Sequence, residues 1–306
     1  MKRKGHLKKQ TVESLNKTFD NEIEQIDQSL FKISKLLMLC YGEAGATVVS
    51  RMINNESAVL DFANERGNKV MAIFAYCDIR NFTDATEVFQ ETVISFVNHV
   101  ANIVHTQTVR HGGQPNKNIG DAFLLVWRLS KTPEEFHKLK PIVKKATTLK
   151  KENLNSYETK NDINDNLQKE ASIMADLSLL SVLKITASVY HSKELQRYND
   201  DPIMNKRMPG FKLKLGFGIH LGWAIEGLIG SSFKADASYL SPNVNRSARL
   251  EAATKQYGVQ TLLSDAVFSL LSNPYKAITR IVDCVSFSSK RKDYSDIYTV
   301  DIDMGN

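Results

Sequence analysis

The chain has 306 residues, 42% of them hydrophobic, which suffices for one large domain or one domain with appendages. Lysine and arginine outnumber aspartate and glutamate by 40 to 34, and the net charge of +6 favours anionic partners such as nucleotides, nucleic acid or a membrane surface. The three cysteines are far apart without CxxC pairing, which argues against a disulfide framework and a zinc site and favours a reducing, cytoplasmic location. No apolar run reaches ~18 residues, which argues against a membrane span.

The N-terminal segment, residues 1–63, combines a basic tail with an amphipathic helix. The tail MKRKGHLKK is either solvated or placed beside an acidic membrane leaflet, where it would hold the protein at the cytoplasmic face. From Val12 to Leu37 apolar residues recur at steps of three and four with polar residues between them, which predicts a helix. The spacing suits a coiled-coil seam, and a helix lying on its own domain is the open alternative.

Residues 64–306 are predicted to form an α+β domain. The apolar run 70–77 predicts a buried strand, and a helical pattern follows from about Glu87 to Arg110. The segments NKNI and DAFLLVW flank Gly120 and predict a two-strand hairpin. A strand, a long helix and a hairpin predict a sheet with helices on one face.

The second half of this domain begins with a polar segment, at about 130–174, which is dense in Lys, Asn and Glu and predicts an inserted loop with marginal helices. A helix is predicted at 175–196 and a pair of strands around Gly222 at 211–231, on which His220 and Trp223 are expected to pack rather than catalyse. Pro242 at a helix start and Gly258 at its end bound the next helix, and three further strands complete the domain.

Two carboxylates stand at the ends of apolar strands. Asp78 ends the run 70–77, and Asp121 follows Gly120 at the head of another strand. If the two strands are neighbours, the carboxylates lie side by side at one edge of the sheet and repel each other unless a cation lies between them. Hard oxygen ligands with room for water suit Mg²⁺ or Mn²⁺. The alternative is that each aspartate only caps a turn.

Four ordered segments carry a resemblance to a known family: AIFAYCDIRNFT, NKNIGDAFLLVW, GFGIHLGWAIEGLIG and YLSPNVNRSARLEAATKQYG. In this order they resemble the strand, hairpin and helix motifs of class III nucleotidyl cyclase catalytic domains, over roughly residues 70–302 apart from the polar insertion. The resemblance implies a ferredoxin-like βαββαβ core with an antiparallel sheet, preceded here by a long N-terminal helix. It also implies dimerisation with active sites at the subunit interface.

The resemblance implies a metal site and a phosphate site. Asp78 and Asp121 match the two aspartates that bind two divalent cations, with the Ile79 carbonyl as a further ligand, and such ions activate the ribose 3′ hydroxyl and neutralise the leaving pyrophosphate. Phe82 and Thr83 follow Asp78 into a helix N-terminus, which can hold the terminal phosphates. The sequence departs from the family at residue 81, where Asn81 stands in place of a usual glycine.

Two further sets of residues match the family's catalytic groups. Asn245 and Arg249 are four residues apart and share a helix face, and they match the pair that orients the ribose and meets the charge developing at the α-phosphate. Without the motif, a surface salt bridge would be the default for Arg249. Lys290 and Lys292, in SSKRKDYSDIYTV, match the hairpin that contributes a triphosphate-binding lysine, although the family's glycines are missing there and a flexible basic loop is the alternative.

The purine base can be argued from hydrogen-bonding groups. Adenine offers an acceptor at N1 and a donor at its 6-amino group, whereas guanine offers an acceptor at O6 and donors at N1 and N2. Lys117 is a donor only and matches the family's adenine-reading lysine, and Ser238 stands at the partner position, where its hydroxyl can accept from the 6-amino group. A guanine site would need a carboxylate, so ATP is the predicted substrate.

The sequence therefore predicts an adenylyl cyclase that forms cyclic AMP and pyrophosphate from ATP with two divalent cations, Mg²⁺ or Mn²⁺. Because all these residue types occur in one chain, a homodimer would hold two symmetry-related sites. The alternatives are a guanylyl cyclase, which Lys117 and Ser238 oppose, and a non-catalytic, cyclase-like regulatory module. A nucleic-acid partner is not expected, because the chain lacks a basic stripe with interleaved aromatic residues.

Overall fold

The computed structural model describes residues 22–36, 66–130, 132–148, 162–231, 234–287 and 294–301. It divides into two compact units, Met1–Leu60 and Asp61–Asn306. In the first unit the described part is a helix, α1, over residues 22–36. Ile23, Ile26, Leu30 and Ile33 recur along it at the spacing from which the coiled-coil seam was predicted. The basic tail and the rest of segment 1–63 lie outside the described residues, so the seam and the domain boundary stay predictions.

The second unit contains strands and helices in alternation. In chain order they are β1 (Asn68–Ile79), α2 (Phe82–Phe89), a 3₁₀ turn (Gln90–Thr92), α3 (Val93–Arg110), β2 (Gln114–Ile119), β3 (Ala122–Arg128), α4 (Pro133–Thr148), α5 (Asp162–His191), α6 (Lys193–Asn199), α7 (Pro202–Arg207), β4 (Leu215–Ser231), β5 (Lys234–Leu240), α8 (Pro242–Tyr257), β6 (Thr261–Ser264), α9 (Asp265–Leu270), α10 (Asn273–Ala277), β7 (Thr279–Ser286) and β8 (Tyr294–Val300).

One mostly antiparallel sheet carries the unit. Its strand order is β2-β3-β1-β4-β6-β8-β7, with β5 paired to β4, and only the β4–β6 pairing among the described strands is parallel. The order β2-β3-β1-β4, with α3 after β1 and α5 after β3, is the ferredoxin-like βαββαβ arrangement. The predicted fold class and the hairpin around Gly120, which has φ +64°, are therefore confirmed.

The main core lies between one sheet face and the helices α3, α4 and α5. Alternate residues of β1 point to opposite faces, so Ile73, Ala75 and Cys77 enter this core while Ala72 and Phe74 enter a smaller one on the other side. Helix α8 packs on β4 and β1 at that other side. The expectation of helices on one face is thus wrong for α8, because glycines on β4 let a helix approach there: a Cβ at Gly218 would overlap the backbone of Ser247 and Glu251.

Several elements differ from the sequence expectations. The helix predicted from about Glu87 to Arg110 is broken by the 3₁₀ turn Gln90–Thr92, so α3 begins at Val93. The pattern at 211–231 forms one strand, β4, instead of two strands around Gly222. Glycine is needed at this position because a Cβ would overlap the side chain of Asn243, not because the chain turns. The described parts of the polar segment 130–174 are mostly helical: α4 buries Phe136 and Leu139 in the core, and α5 begins at Asp162.

Helix α5 contains one stretch, Asn166–His191, that is long and apolar enough by length and composition to cross a membrane, the one such stretch found within the described ranges. In this fold the stretch serves as a core helix, since Leu179, Val182 and Ile185 are fully buried against the sheet and α3. Its apolar composition is therefore explained by packing.

Candidate active site

The two aspartates predicted to bind metal, Asp78 and Asp121, lie next to each other and are together named the aspartate edge. β1 and β3 are antiparallel neighbours, and Asp78 pairs in register with Ala122, the residue after Asp121. The backbone N–H of Ile79 donates to the carbonyl of Asp121 over 3.3 Å. The sheet therefore places both carboxylates at one end of the β1–β3 pair.

The aspartate edge carries negative charge that the protein compensates only in part. Burial raises the pKa of Asp78, and the neighbouring Asp121 carboxylate raises it further. Lys255 of α8 opposes this shift, because its Nζ lies 3.4 Å from Asp78 Oδ2. The pKa of Asp78 is still raised, so the ionised Asp78 carboxylate is less stable in the folded chain than in water.

A buried ion pair lies directly behind this edge. Arg80 Nη1 and Glu251 Oε1 are 3.1 Å apart, and the two side chains are only 13% and 6% exposed. Arg80 also donates to the hydroxyl of Thr254. Burial, followed by the Asp78 charge, raises the pKa of Glu251, while Arg80 lowers it. The pair fastens α8 to the end of β1 and brings a third carboxylate close to the aspartate edge.

The donor set at the aspartate edge fits a hard divalent cation. Among the described residues there is no group of three or more His, Cys, Asp and Glu side chains that could enclose a metal. Two carboxylates and a nearby backbone carbonyl leave most of a coordination shell to water or to a ligand's oxygens, which is how Mg²⁺ is usually held. A cation here would also offset the repulsion that raises the pKa of Asp78.

The turn after β1 leads into a helix N-terminus. Asn81 is the N-cap residue of α2 and has φ +58° and ψ +34°, the left-handed conformation. Glycine adopts this conformation freely and asparagine tolerates it. The departure noted at residue 81 is therefore compatible with the same turn. Phe82 and Thr83, the predicted phosphate-binding residues, form the first positions of α2.

Helix α8 presents the predicted Asn and Arg pair on its exposed side. Asn245 and Arg249 are both exposed and one helical turn apart. Arg249 Nη1 donates to the carbonyl of Phe287 over 3.2 Å. Arg246, the residue after Asn245, lies over the Phe287 ring, with 5.5 Å between the guanidinium carbon and the ring centroid. Phe287 thus holds both arginines beside the end of β7.

The start of α8 is fixed by a buried polar network. Asn243 donates from Nδ2 to the carbonyl of Trp223 over 2.8 Å, and its Oδ1 lies 3.2 Å from His220 Nε2. His220 Nδ1 lies 2.8 Å from the Ser264 hydroxyl. Burial, with a smaller contribution from Arg246, lowers the pKa of His220 to about 3, so the ring is neutral at pH 7. His220 therefore packs, as expected, while Trp223 is 38% exposed.

A second cluster, named here the β2–β5 corner, consists of Lys117, Asp236 and Ser238. Lys117 Nζ lies 2.5 Å from Asp236 Oδ2, and Ser238 is 9% exposed two residues further along β5. Side chains two apart on a strand share a face, so Asp236 and Ser238 both point toward the same side. Sequence reasoning missed Asp236, although its i, i+2 spacing from Ser238 was a readable signal.

The described site residues fall into three groups: the aspartate edge, the pair Asn245 and Arg249, and the β2–β5 corner. No hydrogen bond or ion pair within the described ranges links Asn245 or Arg249 to Asp78 or Asp121. Lys117 likewise contacts Asp236 rather than the aspartate edge. The predicted triphosphate-binding residues Lys290 and Lys292 lie outside the described residues.

Comparisons with protein families match two regions of the chain. A family described as "Adenylate and Guanylate cyclase catalytic domain" matches residues 62–295, and a second, described as "RasGEFs all helical domain", matches residues 2–54. An adenylate cyclase of Anabaena cylindrica is 32% identical over 108 residues, which are 35% of this chain and 21% of that protein, so the chain spans about a fifth of its length.

Solved structures with a similar fold include cyclases of both kinds. A bacterial light-regulated adenylyl cyclase superposes with a TM-score of 0.59 at 18% identity, covering 91% of this chain and 64% of that one. The guanylate cyclase domain of a Catenaria anguillulae protein in complex with GTP superposes with a TM-score of 0.49 at 17% identity, covering 76% and 98%. At 18% identity the likeness to the light-regulated adenylyl cyclase concerns the fold alone.

Proposed function

Because the chain belongs to the family of adenylate and guanylate cyclase catalytic domains, with the match spanning residues 62–295, we propose that it converts ATP to cyclic AMP and pyrophosphate. The observation that carries the proposal is the aspartate edge. Two carboxylates at the ends of neighbouring strands, with the pKa of Asp78 raised, are suited to divalent cations rather than to turn capping.

The proposed roles are those that the resemblance to the cyclase family implies, and the donor and acceptor chemistry of each residue is compatible with them. Asp78 and Asp121 would hold two divalent cations, Mg²⁺ or Mn²⁺, with the Ile79 carbonyl. When bound, such ions lower the pKa of the ribose 3′ hydroxyl and neutralise the leaving pyrophosphate. The free N–H groups at Phe82 and Thr83, at the start of α2, would receive the terminal phosphates.

Arg249 and Asn245 would act on the reacting groups themselves. Arg249 would place its guanidinium against the α-phosphate, where it stabilises the charge that develops in the transition state, and Asn245 would orient the ribose. For this, Arg249 must leave or share its hydrogen bond to the Phe287 carbonyl. Lys290 or Lys292 would place a positive charge beside the triphosphate.

A dimer of two copies is proposed to complete the site. Within one subunit, Asn245 and Arg249 have no hydrogen bond or ion pair to the aspartate edge among the described residues. If one copy supplied Asp78 and Asp121 and the other supplied Asn245, Arg249 and Lys117, a head-to-tail pair would hold two equivalent sites. The row of apolar residues on α1 would add a second contact between the copies.

The proposed substrate is ATP, read by the β2–β5 corner. Lys117 can donate to adenine N1, and the Ser238 hydroxyl or the Asp236 carboxylate can accept from the 6-amino group. Asp236 also favours a second candidate, GTP: Lys117 could donate to guanine O6 while Asp236 accepts from N1 and N2. The argument against guanine was that position 117 carries a cation where a guanine site would use a carboxylate. Asp236, whose Oδ2 lies 2.5 Å from Lys117 Nζ, supplies a carboxylate beside it and weakens that argument.

The test is a direct assay of the purified protein with ATP or GTP, each with Mg²⁺ or Mn²⁺, followed by quantification of cyclic nucleotide. Asp121→Ala removes one proposed metal ligand and is the inactive control, while Asp283→Ala removes a carboxylate of β7 that hydrogen-bonds Tyr257 and serves as the matched control. Cyclic AMP from the parent protein and from Asp283→Ala, but not from Asp121→Ala, is the expected result.

Other outcomes of this assay are equally informative. Cyclic GTP as the main product would assign the β2–β5 corner to guanine. If a protein that is dimeric and binds nucleotide made neither product with either metal, the enzymatic proposal would be wrong and a regulatory, non-catalytic module would remain.

A further inference from the structure

A cavity of about 280 Å³ lies at the amino end of β1, away from the candidate active site. It is named here the basic cavity, and its lining includes Lys69, Arg128, Phe136, His137 and Lys140. Lys69 and Asp78 are nine residues apart on one extended strand, which corresponds to about 30 Å. A ligand in this cavity therefore does not contact the aspartate edge.

The basic cavity has a fixed apolar floor. Phe136 of α4 is 3% exposed and belongs to the main core, so the floor is part of a packed element rather than of a surface loop. The size of the cavity is close to the lower limit for small-molecule sites in proteins, which are mostly apolar with a few well-placed polar groups. A molecule with a compact apolar body fits this floor better than a bare inorganic ion.

The rim of the cavity carries positive charge that nearby carboxylates do not balance. Arg128 is held by Glu226 at 3.1 Å and by the carbonyl of Ser130 at 2.8 Å, so its charge is already compensated. Lys69 instead places its ammonium over two aromatic rings, 4.7 Å from the Trp223 centroid and 5.4 Å from the Phe136 centroid. Lys140 adds a second ammonium.

Among the described residues, neither Lys69 nor Lys140 forms an ion pair, and no residue that lines the cavity is acidic. Two ammonium groups around a small cavity attract anions, and the field of such a cavity is strongest where low-dielectric walls surround it. The cavity therefore combines an apolar floor with an unbalanced cationic rim.

We propose that the basic cavity is a binding site for a small organic anion, in which a carboxylate or phosphate contacts Lys69 and Lys140 and an apolar body rests on Phe136. The site is independent of the proposed cyclase activity. It uses different residues and a different end of β1, and its test needs no turnover.

The test is ligand-observed saturation-transfer NMR with the full chain and four probes. Phenyl phosphate and benzoate carry the anion on an apolar ring, and benzamide has the ring without the charge. Inorganic phosphate has the charge without the ring, and because it has no proton to observe, its affinity is measured by displacement of the anionic probe that binds. Saturable binding with a dissociation constant of roughly 1 mM is expected for phenyl phosphate, benzoate or both, as is usual for fragments of this size. Benzamide and inorganic phosphate should bind at least about tenfold more weakly.

Matched variants locate the site. Lys69→Gln with Lys140→Gln should weaken the binding of the anionic probes by at least about tenfold, whereas Lys138→Gln removes the same charge from an exposed position of α4 outside the cavity and should leave it unchanged. Equal weakening in Lys138→Gln, equal binding of benzamide, or no saturable binding of either anionic probe would each overturn the proposal. A circular dichroism spectrum like that of the parent protein verifies that the double variant folds.

Discussion

The aspartate edge and the β2–β5 corner both place carboxylates at the rim of one sheet, but they differ in how the protein compensates the charge. At the corner, Asp236 is 2.5 Å from the ammonium of Lys117. At the edge, two carboxylates adjoin, Lys255 reaches only one of them at 3.4 Å, and the pKa of Asp78 is raised. An external cation can add most stability where side chains leave negative charge uncompensated.

The comparison also distinguishes two ways of binding a ligand. A cation that enters the aspartate edge relieves a repulsion already present in the folded chain, so its binding and the chain's stability increase together. A base that enters the β2–β5 corner must compete with the ion pair between Lys117 and Asp236. Ligand binding is therefore predicted to relieve the repulsion between the aspartates at the edge, whereas at the corner it is predicted to disrupt the ion pair between Asp236 and Lys117.

The largest effect is expected at Glu251, which lies near the aspartate edge yet has an internal partner. Arg80→Met removes that partner and leaves a buried carboxylate unpaired, which should lower the free energy of unfolding by about 3–5 kcal/mol in urea titrations at pH 7. Because the folded-state pKa of Glu251 would rise further, part of the loss should be recovered when the pH is lowered to 5.

The control for this prediction is the double variant Arg80→Met with Glu251→Gln. Since the second change removes the unpaired charge, the double variant should be more stable than Arg80→Met alone. A double variant as unstable as the sum of the two single changes would mean that the ion pair does not fasten α8 to β1.

Metal ions should stabilise the aspartate edge and not the corner. At about 100 times the dissociation constant, Mg²⁺ or Mn²⁺ should raise the free energy of unfolding by about 2.7 kcal/mol, seen as a higher Tm. Asp121→Asn should abolish this rise, whereas Asp236→Asn should retain it. An Asp121→Asn protein that still gains the full metal-dependent stability would show that the ions bind elsewhere.

The same edge predicts the pH dependence of the metal-free protein. The pKa of Asp78 is raised in the folded state, so the folded chain binds that proton more tightly than the unfolded chain does. Asp78 therefore adds stability below its unfolded pKa, and this stability is lost as the pH rises through the raised folded value. Asp121→Asn removes the neighbouring charge and should reduce this dependence in urea titrations between pH 4 and 7. An unchanged dependence would contradict the repulsion.

At the β2–β5 corner the expected effects are smaller and concern the substrate. If Asp236 accepts a hydrogen bond from the base, Asp236→Ala should raise KM for the preferred nucleotide by roughly tenfold, the effect of losing about 1.4 kcal/mol. Ser238→Ala is the matched change on the same strand face. A larger effect from Ser238→Ala would assign the base contact to the hydroxyl predicted from the sequence, and no effect from either would move the base away from this corner.

The aspartate edge could be predicted from the sequence because its geometry depends on local order. A strand that ends in Asp78, and a hairpin in which Gly120 precedes Asp121, allow few arrangements once the two strands pair. The α+β class followed from the same elements, whereas the ferredoxin-like βαββαβ arrangement was implied by the resemblance to the cyclase family. The functional roles of these residues stay predictions that the experiments above address.

The parts that sequence reasoning did not find depend on contacts between distant segments. The neighbouring sequence does not show that Gly222 lies within a continuous strand and faces Asn243. It also does not show that Phe136, in a lysine-rich segment, is buried. The ion pair between Lys117 and Asp236 joins β2 to β5, and the bond between Arg249 and Phe287 joins α8 to β7. Such pairings follow from the packing of the whole sheet.

The smallest effect is expected at Asn81, where backbone conformation rather than charge shapes the aspartate edge. Its φ of +58° suits glycine and asparagine, so Asn81→Ala should destabilise the protein by about 1 kcal/mol while Asn81→Gly should change it by less. If Phe82 and Thr83 receive the terminal phosphates, Asn81→Ala should also raise KM for the nucleotide more than Asn81→Gly does. Equal effects of the two variants on KM and on urea unfolding would mean that the asparagine side chain, and not the left-handed turn, is what the edge requires.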